Sequence, residues 1–184
     1  MKNKMKKELL TPGTVYHFFN RGNNRENIFR EERNYPFFIG LMEKYILPIS
    51  HIYAYCLMKN HFHLLVHLRQ ESELSEKQIN KPHLPFSNLF NAYAKSCNKA
   101  YKRTGSLFEE HPERKRITED RYLKNAIKYI HQNPVEHGFV KNINDYQWSS
   151  YLSYKHQTPS IISKDYILDM FGGLDNFVFE HEKV

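Results

Sequence analysis

Residues 57–67 read Leu-Met-Lys-Asn-His-Phe-His-Leu-Leu-Val-His. This stretch contains neither glycine nor proline, and it directly follows a second short apolar run, His51–Leu57. Both runs are rich in aromatic and β-branched residues, which predicts a pair of buried strands. Since successive side chains of a strand point to opposite faces, His61 and His63 share one face and Phe62 lies on the other. We therefore expect two neighbouring imidazoles, with an apolar face behind them that packs on helices.

The paired imidazoles of His61 and His63 are a candidate metal site, because two histidines at this spacing can bind one divalent cation. The pair is weak evidence when it stands alone. The chain contains 11 histidines, so a His-x-His arises easily by chance, and a surface or core histidine is the commoner explanation. The hypothesis gains weight from a second element, the stretch Tyr129–Asn133.

The composition favours a nucleic-acid partner. The 184 residues suffice for one domain, or for one domain with an extension, and they carry a net charge of +7 with 15% aromatic residues. A basic, aromatic-rich domain is typical of proteins that bind polyanions, and nucleic acid is a better candidate than a membrane surface. Charge alone does not distinguish such a protein from one that is merely basic.

The cysteines and the N-terminal residues indicate the cellular compartment in which the protein is expected. Cys56 and Cys97 lie in apolar or helical patterns, which predicts reduced thiols. Residues 1–10 are lysine-rich and lack the apolar core of a signal peptide. No segment is apolar enough to span a membrane. We therefore expect a cytoplasmic protein without a membrane partner.

The order of predicted elements indicates an α+β fold. The pattern predicts a basic arm at residues 1–12, a strand at Val15–Asn20, a helix at Glu31–Leu47, strands at His51–Leu57 and His61–Leu68, a loop at Arg69–Pro85, a helix at Phe86–Arg103, one or two short strands at Ser106–Phe108 and Arg114–Ile117, and a helix from Thr118 to about Gln132 that is ended by Pro134. This order fits a ferredoxin-like (RRM-like) antiparallel sheet with helices on one side. We divide the chain into the arm, a domain at residues 13–145, and an extension at residues 146–184 that packs on the domain.

Basic and amide side chains are the candidate DNA contacts. The turn after the first strand can offer backbone amides and guanidinium groups to a phosphate, although an ordinary solvated turn has the same composition. One face of the second long helix is rich in lysine, as a solvated face often is. The candidates are Arg21, Asn23, Asn24, Arg25, Lys59, Lys95, Lys99, Lys102, Arg114, Lys115 and Arg116.

The late helix carries Tyr129 and Asn133, which are four residues apart and therefore share one face. If the helix approaches His61 and His63, two imidazoles and one amide oxygen can bind one Mg²⁺ or Mn²⁺. The remaining coordination positions of the cation are then open. A scissile phosphate can fill one position and be polarised, and the phenol can then attack phosphorus. The chain has 13 tyrosines, most of them expected in packing, and Tyr122 is a rival on a similar face.

Two other histidines near this helix are further candidate ligands, His131 and His137. Helical periodicity places His131 on another face from Tyr129.

Five groups of residues occur together in order: Tyr16-His17, Arg21-Gly22-Asn23-Asn24-Arg25 and Ile28-Phe29; Met58-Lys59-Asn60-His61-Phe62-His63-Leu64-Leu65; Gly105-Ser106-Leu107-Phe108; Tyr129-Ile130-His131-Gln132-Asn133-Pro134-Val135 and Gly138; and Trp148-Ser149-Ser150-Tyr151. In these motifs, over roughly residues 14–152, the chain resembles the single-tyrosine HUH transposases, in particular the REP-associated tyrosine transposases. Each motif alone is weak, whereas five in the family's order are specific.

The resemblance implies an HUH endonuclease architecture, with Mg²⁺ or Mn²⁺ on His61 and His63. It also implies that Tyr129 is the nucleophile and that Asn133 is the third ligand. Enzymes of this type cut and rejoin single-stranded DNA beside a REP-like hairpin, through a 5′-phosphotyrosine link and without nucleotide hydrolysis. Both a monomer and a homodimer are compatible with the resemblance, and in a dimer the tyrosine helix can serve the partner's site.

One stretch departs from the family pattern. Where relatives tend to be basic and aromatic, this chain carries Glu109–Glu113, which contains three carboxylates. Carboxylates near a DNA path repel phosphates, so we expect an effect on hairpin affinity or preference.

Two other functions remain open. The first is a non-cleaving regulator that holds hairpin DNA or RNA, since ferredoxin-like sheets also occur in RNA-recognition domains and a fold does not decide function. The second is a related HUH replication initiator or relaxase, which shares the chemistry but typically differs in motif order and size.

Overall fold

A four-stranded antiparallel sheet forms the centre of the computed structural model, which describes residues 9–109 and 112–183. Its strands are β1 (Val15–Arg21), β2 (Ser50–Met58), β3 (His61–Leu68) and β4 (Glu113–Ile117), in the spatial order β2-β3-β1-β4. This is the strand order of a ferredoxin-like fold, so the fold predicted from the sequence is confirmed.

The helices alternate with these strands and then continue beyond them. They are α1 (Asn34–Tyr45), α2 (Glu76–Asn80), α3 (Leu84–Ala100), α4 (Asp120–Glu136), α5 (Tyr151–Lys155), α6 (Asp165–Phe171) and α7 (Leu174–Glu182). The segment predicted as a loop, Arg69–Pro85, therefore contains the short helix α2. Ser75 and Gln78 form a capping box at its start, a local signal that the polar composition obscures.

Helices α1 and α3 cover the apolar face of the sheet through aromatic contacts. The ring of Phe18 on β1 stacks on Phe86 of α3, with the ring centroids 4.1 Å apart. The ring of Phe62 on β3 lies 5.3 Å from Phe90 of α3 and 5.5 Å from Phe38 of α1. Such pairs add directional stabilisation to the burial of large apolar surfaces. The apolar face expected behind the paired histidines is confirmed.

Helix α4 lies on the opposite face, so the expectation of helices on one side only is wrong. Its Tyr129 contacts the rings of His17 and His63, whose side chains alternate with Phe18 and Phe62 along the strands. The histidine face therefore has a helix of its own, packed mainly against β2 and β3. Sequence order alone does not state which face a helix will choose.

The sequence predicts that Pro134 ends α4, but this prediction is wrong, because the helix continues to Glu136. The chain leaves the helix at Gly138, which has a φ of 71°. The N–H of Phe139 donates to the carbonyl of Pro134, and the N–H of Gly138 donates to that of Val135. These two bonds form a Schellman motif, in which glycine takes the left-handed conformation that other residues avoid. Asn133 thus lies inside the helix, with its side chain in a defined direction.

The N-terminal residues that the structure describes contact β1. Of the arm predicted at residues 1–12, residues 1–8 lie outside the described part of the chain. Leu10 is buried, and the hydroxyl of Tyr16 accepts from the N–H of Thr11 and donates to the carbonyl of Leu9, both at 3.0 Å.

A buried hydrogen-bonded chain links β2, α4 and α7. Ser150 Oγ accepts from the backbone N–H of Tyr55 at 2.9 Å and donates to His131 Nε2 at 2.7 Å. His131 Nδ1–H donates to His181 Nε2 at 3.0 Å, and His181 Nδ1–H donates to the carbonyl of Phe177 at 2.7 Å. These donors and acceptors match only if both imidazoles are neutral. The C-terminal helices thereby fix the position of α4 on the sheet.

We predict that the buried hydrogen bonds of His131 and His181 make the protein less stable in mild acid. Burial lowers the pKa of His181 from 6.5 to about 4, and burial also lowers that of His131. Because the unfolded chain takes up these protons near pH 6.5 and the folded protein does not, the contribution is complete above pH 6.5 and is lost as the pH falls toward 4. For His181 alone, the free energy of unfolding is expected to fall by about 2 kcal/mol between pH 7 and pH 5.

Urea denaturation at pH 7 and pH 5 measures this effect. His181→Gln keeps a donor and an acceptor but does not titrate, so its stability is expected to depend less on pH. An equal loss of stability in the variant and the parent would contradict the assignment to His181.

Candidate active site

His61 and His63 project from β3 to the face that α4 covers. Their ring centroids are 5.5 Å apart and the rings are nearly perpendicular, at 85°. Burial lowers the pKa of His61 to about 4, and nearby His137 and Arg21 add to the effect. Burial, followed by the neighbouring imidazoles, lowers the pKa of His63 to about 2. Both imidazoles are therefore neutral near pH 7, and each has a ring nitrogen able to bind a cation.

Tyr129 and Asn133 reach the same place from α4 of the same chain. The ring centroid of Tyr129 lies 5.5 Å from that of His63, and the residue is 42% exposed. Asn133 is fully buried, and its Nδ2 donates to the backbone carbonyl of Tyr129 at 2.7 Å. Asn133 Oδ1 is buried without a hydrogen-bond partner among the described residues. The fold thus brings the predicted nucleophile to the predicted ligands.

The donor set here fits a divalent cation. A buried acceptor without a donor is costly, and a cation shared with His61 and His63 would satisfy Asn133 Oδ1. The Asn133 side chain is a neighbour of His63, and it raises the pKa of that imidazole against the larger lowering by burial. Within residues 9–109 and 112–183, no three His, Cys, Asp or Glu side chains form a metal cage. A cation at this site would therefore depend on the amide oxygen.

The first group of predicted DNA contacts lies at the histidine end of the sheet. Arg21 pairs with His61 across the β1–β3 register, and the N–H of Gly22 donates to the carbonyl of Asn60 at 2.8 Å. The turn at Asn23–Arg25 follows directly, and exposed Lys59 lies in the neighbouring β2–β3 hairpin. Lys115 also belongs to this group, because it pairs with His17 across β1 and β4 and shares its face.

The second group lies away from the paired histidines. Lys95, Lys99 and Lys102 are exposed on α3 or just after it, and α3 packs on the opposite face of the sheet. Arg114 and Arg116 pair with Phe18 and Tyr16 and therefore also point away from the histidine face. A DNA strand at Tyr129 would meet the first group and not this one.

Arg21 already has an anionic partner in the acidic stretch. Its Nε lies 2.9 Å from Glu109 Oε1, and both side chains are more than 40% exposed. An ion pair so exposed contributes about 1 kcal/mol or less. Another anion can therefore compete with Glu109 for Arg21.

Comparison with known proteins places this geometry in a family. Residues 11–133 match the model of the family described as "Transposase IS200 like". The match covers more than half of the chain and includes all four residues at the candidate site. The chain belongs to the IS200-like transposase family.

Two relatives of this IS200-like transposase chain are informative. A curated Haemophilus influenzae protein, assigned by name to the REP-associated tyrosine transposases, is 30% identical over 104 residues. That match covers 53% of this chain and 57% of the relative. A solved structure of a REP-associated tyrosine transposase bound to a REP hairpin superposes with a TM-score of 0.64, at 16% identity. It covers 89% of this chain and 92% of that one, which shows a shared fold. The resemblance expected from the sequence motifs is confirmed.

The structure adds His17 to the site of this IS200-like transposase chain. His17 is buried on β1, and its Nε2 lies 2.9 Å from His63 Nδ1. Burial, with the nearby charge of Lys115, lowers the pKa of His17 to about 4. The sequence carries one signal, because Tyr16-His17 begins the matching motifs. Only the pairing of β1 with β3 shows that His17 meets His63.

The fold of this IS200-like transposase chain also distinguishes the alternative candidates, which are Tyr122, His131 and His137. Tyr122 lies about 10 Å from Tyr129 along the axis of α4, toward its start. His131 is buried against Ser150 on another side of the helix, as its spacing predicts. His137 follows α4, and its ring centroid lies 5.0 Å from that of His61. Of the two further candidate ligands, His137 is therefore the one beside the paired histidines.

The described helices show no candidate for a membrane span, since none has the necessary length and apolar character. Cys56 and Cys97 are both buried and both free.

Proposed function

We propose that this protein cleaves and rejoins single-stranded DNA beside a hairpin, with Tyr129 as the nucleophile and a divalent cation held by His61, His63 and Asn133. The observation that carries the proposal is the convergence of an exposed tyrosine, two neutral imidazoles and an unpartnered buried amide oxygen in one chain. Membership of the IS200-like transposase family supports a DNA-processing activity.

In the proposed cleavage step, Tyr129 Oη attacks the scissile phosphorus and the bond from phosphorus to the 3′ oxygen breaks. The phenolic proton is lost to solvent, the leaving 3′ oxygen takes up a proton, and the 5′ phosphate stays linked to the tyrosine. Attack by a 3′ hydroxyl on this link reverses the step and rejoins a strand. The number of phosphoester bonds is conserved, so no nucleotide hydrolysis is needed.

The protein's own side chains prepare this step. Tyr129 is exposed and therefore accessible to DNA. Its helix, α4, is held in place by the hydrogen bonds of His131 to His181 of α7 and to Ser150. A bound cation would polarise the phosphate and stabilise the charge that develops on its oxygens. His61 and His63 keep their lone pairs available because burial disfavours their protonation.

The DNA strand is proposed to approach along the uncovered part of the histidine face. Phe19 is partly exposed there, and the ammonium of Lys115 lies 5.7 Å from the centroid of its ring. An aromatic ring beside a cation suits single-stranded DNA, since bases stack on the ring and phosphates pair with the charge. Arg21 and the turn after it continue this surface toward His61.

The decisive experiment incubates the protein with a hairpin DNA carrying a single-stranded flank, with and without Mn²⁺. A denaturing gel is expected to show a cleaved strand and a covalent protein–DNA adduct only with the metal. Tight hairpin binding without any adduct, over a range of flanking sequences, would contradict the proposal.

We predict that Lys115→Ala weakens binding of hairpin DNA with a single-stranded flank about fivefold, because one phosphate contact is lost. Lys95→Ala removes an equal charge on the far side of the sheet and is expected to change affinity by less than about twofold. Fluorescence anisotropy between 50 and 200 mM salt measures both variants, and the salt slope of Lys115→Ala is expected to fall by about 0.7. A larger effect from Lys95→Ala would place the strand on the other face.

A non-cleaving hairpin-binding regulator is the second candidate function. The ion pair between Arg21 and Glu109 favours it, since a carboxylate beside the paired histidines opposes entry of the single-stranded flank that cleavage requires. Glu109→Gln is expected to strengthen DNA binding under either function. The covalent adduct distinguishes the two, because only the transposase forms it.

A further inference from the structure

We propose that His17 is a positioning residue for His63: it accepts a hydrogen bond from His63 Nδ1–H and thereby directs His63 Nε2 toward the cation. This inference rests on the proposed function for its cation, but not for its hydrogen-bond geometry. Nothing in the family match assigns a role to His17.

The contact is a buried hydrogen bond between two imidazoles on adjacent strands. His17 Nε2 and His63 Nδ1 are 2.9 Å apart, and the two residues are only 7% and 6% exposed. A bond between two neutral imidazoles contains one proton, so one ring donates and the other accepts. The identity of the donor fixes which nitrogen of His63 is left for the site.

Two arrangements are compatible with this distance. If His17 donates, neutral His63 must carry its own proton on Nε2, and that proton needs an acceptor. Asn133 Oδ1 is an acceptor on a helix that reaches His63, but this atom makes no hydrogen bond of normal geometry with any described residue. If His63 donates through Nδ1–H, Nε2 is free and meets Asn133 Oδ1 as a second acceptor. With no proton between them, these two acceptors can both bind one cation through their lone pairs.

Lys115 helps to keep His17 neutral, as both arrangements require. It pairs with His17 across β1 and β4, so its positive charge opposes the addition of a proton to His17. A neutral His17 with its proton on Nδ1 can accept through Nε2. Partners of this kind commonly fix the tautomer and the ring orientation of a metal-binding histidine.

The first test reads the tautomer of His63 in the metal-free protein. Long-range ¹H–¹⁵N NMR spectra at pH 7 distinguish a protonated Nδ1 from a protonated Nε2. We expect His63 to carry its proton on Nδ1 and His17 to show an unprotonated Nε2. A proton on His63 Nε2 would overturn the proposal, whatever the protein does to DNA.

The second test measures Mn²⁺ affinity by isothermal titration calorimetry. His17→Leu, which cannot accept, is expected to bind Mn²⁺ about 10- to 100-fold more weakly, whereas His17→Gln retains an acceptor oxygen and most of the affinity. His67→Leu is the matched control, because His67 lies on the same face of β3 but contacts Tyr53 instead. Thermal unfolding confirms that each variant is folded.

The outcomes separate this inference from the proposed function. If wild-type protein binds no Mn²⁺, the metal site and the role of His17 are both overturned. If wild-type protein and His17→Leu bind Mn²⁺ equally well, only the role of His17 is overturned. Equal losses in His17→Leu and His17→Gln would also contradict it, because the retained acceptor would then have no effect.

Discussion

Tyr129→Phe is expected to abolish the covalent adduct with hairpin DNA while leaving hairpin affinity within about twofold of wild type. The substitution removes a single oxygen, and the ring contacts with His17 and His63 are retained. Because the proposed step forms its bond at that oxygen, strand cleavage should fall by at least about 10³-fold. A denaturing gel of labelled DNA with Mn²⁺ measures adduct and cleavage together.

Tyr122→Phe provides the matched control for this prediction. Tyr122 is also an exposed tyrosine of α4, 58% exposed against 42% for Tyr129, but it lies nearer the start of the helix. Its substitution should leave the adduct intact. Full adduct from Tyr129→Phe, with none from Tyr122→Phe, would transfer the nucleophilic role to Tyr122.

His63→Ala is expected to lower metal-dependent cleavage by about 10²-fold or more, since a polarising cation contributes several kcal/mol to such a step. The substitution removes the buried imidazole that contacts both His17 and Tyr129. DNA binding should change little, because its main contributions are phosphate contacts elsewhere on the surface. Cleavage rates over a Mn²⁺ titration measure the loss.

His67→Ala is the control on the same strand and the same face. Its substitution breaks a hydrogen bond to Tyr53 at the other end of the sheet and should leave cleavage unchanged. If His63→Ala cleaves DNA at the wild-type rate at every metal concentration, the metal site proposed here is wrong. Comparison of unfolding midpoints distinguishes a lost ligand from a lost fold.

The architecture could be predicted from the sequence because its signals are local. Alternation along β3 placed His61 and His63 together, and helical spacing placed Tyr129 and Asn133 on one face of α4. Periods of two and of 3.6 residues follow from backbone geometry, so each pair could be read without knowing any other element. The ferredoxin-like order then followed from the sequence of strands and helices.

The remaining features of the site depend on contacts between distant segments. Helix α4 lies on the histidine face, His17 meets His63, and Glu109 pairs with Arg21. Each contact depends on strand register or on the choice of a sheet face, and neither is encoded in the spacing of neighbouring residues.

The element order, the composition of each face and the residue pairs within one strand or one helix are therefore readable from the sequence. Where these faces meet depends on the tertiary fold, which brings the helix of Tyr129 to the strand of His61 and His63 and leaves Asn133 Oδ1 buried without a donor among the described residues. Local patterns follow from the fixed periods of the backbone. Long-range contacts instead follow from the packing of the whole chain, in which many faces compete for burial.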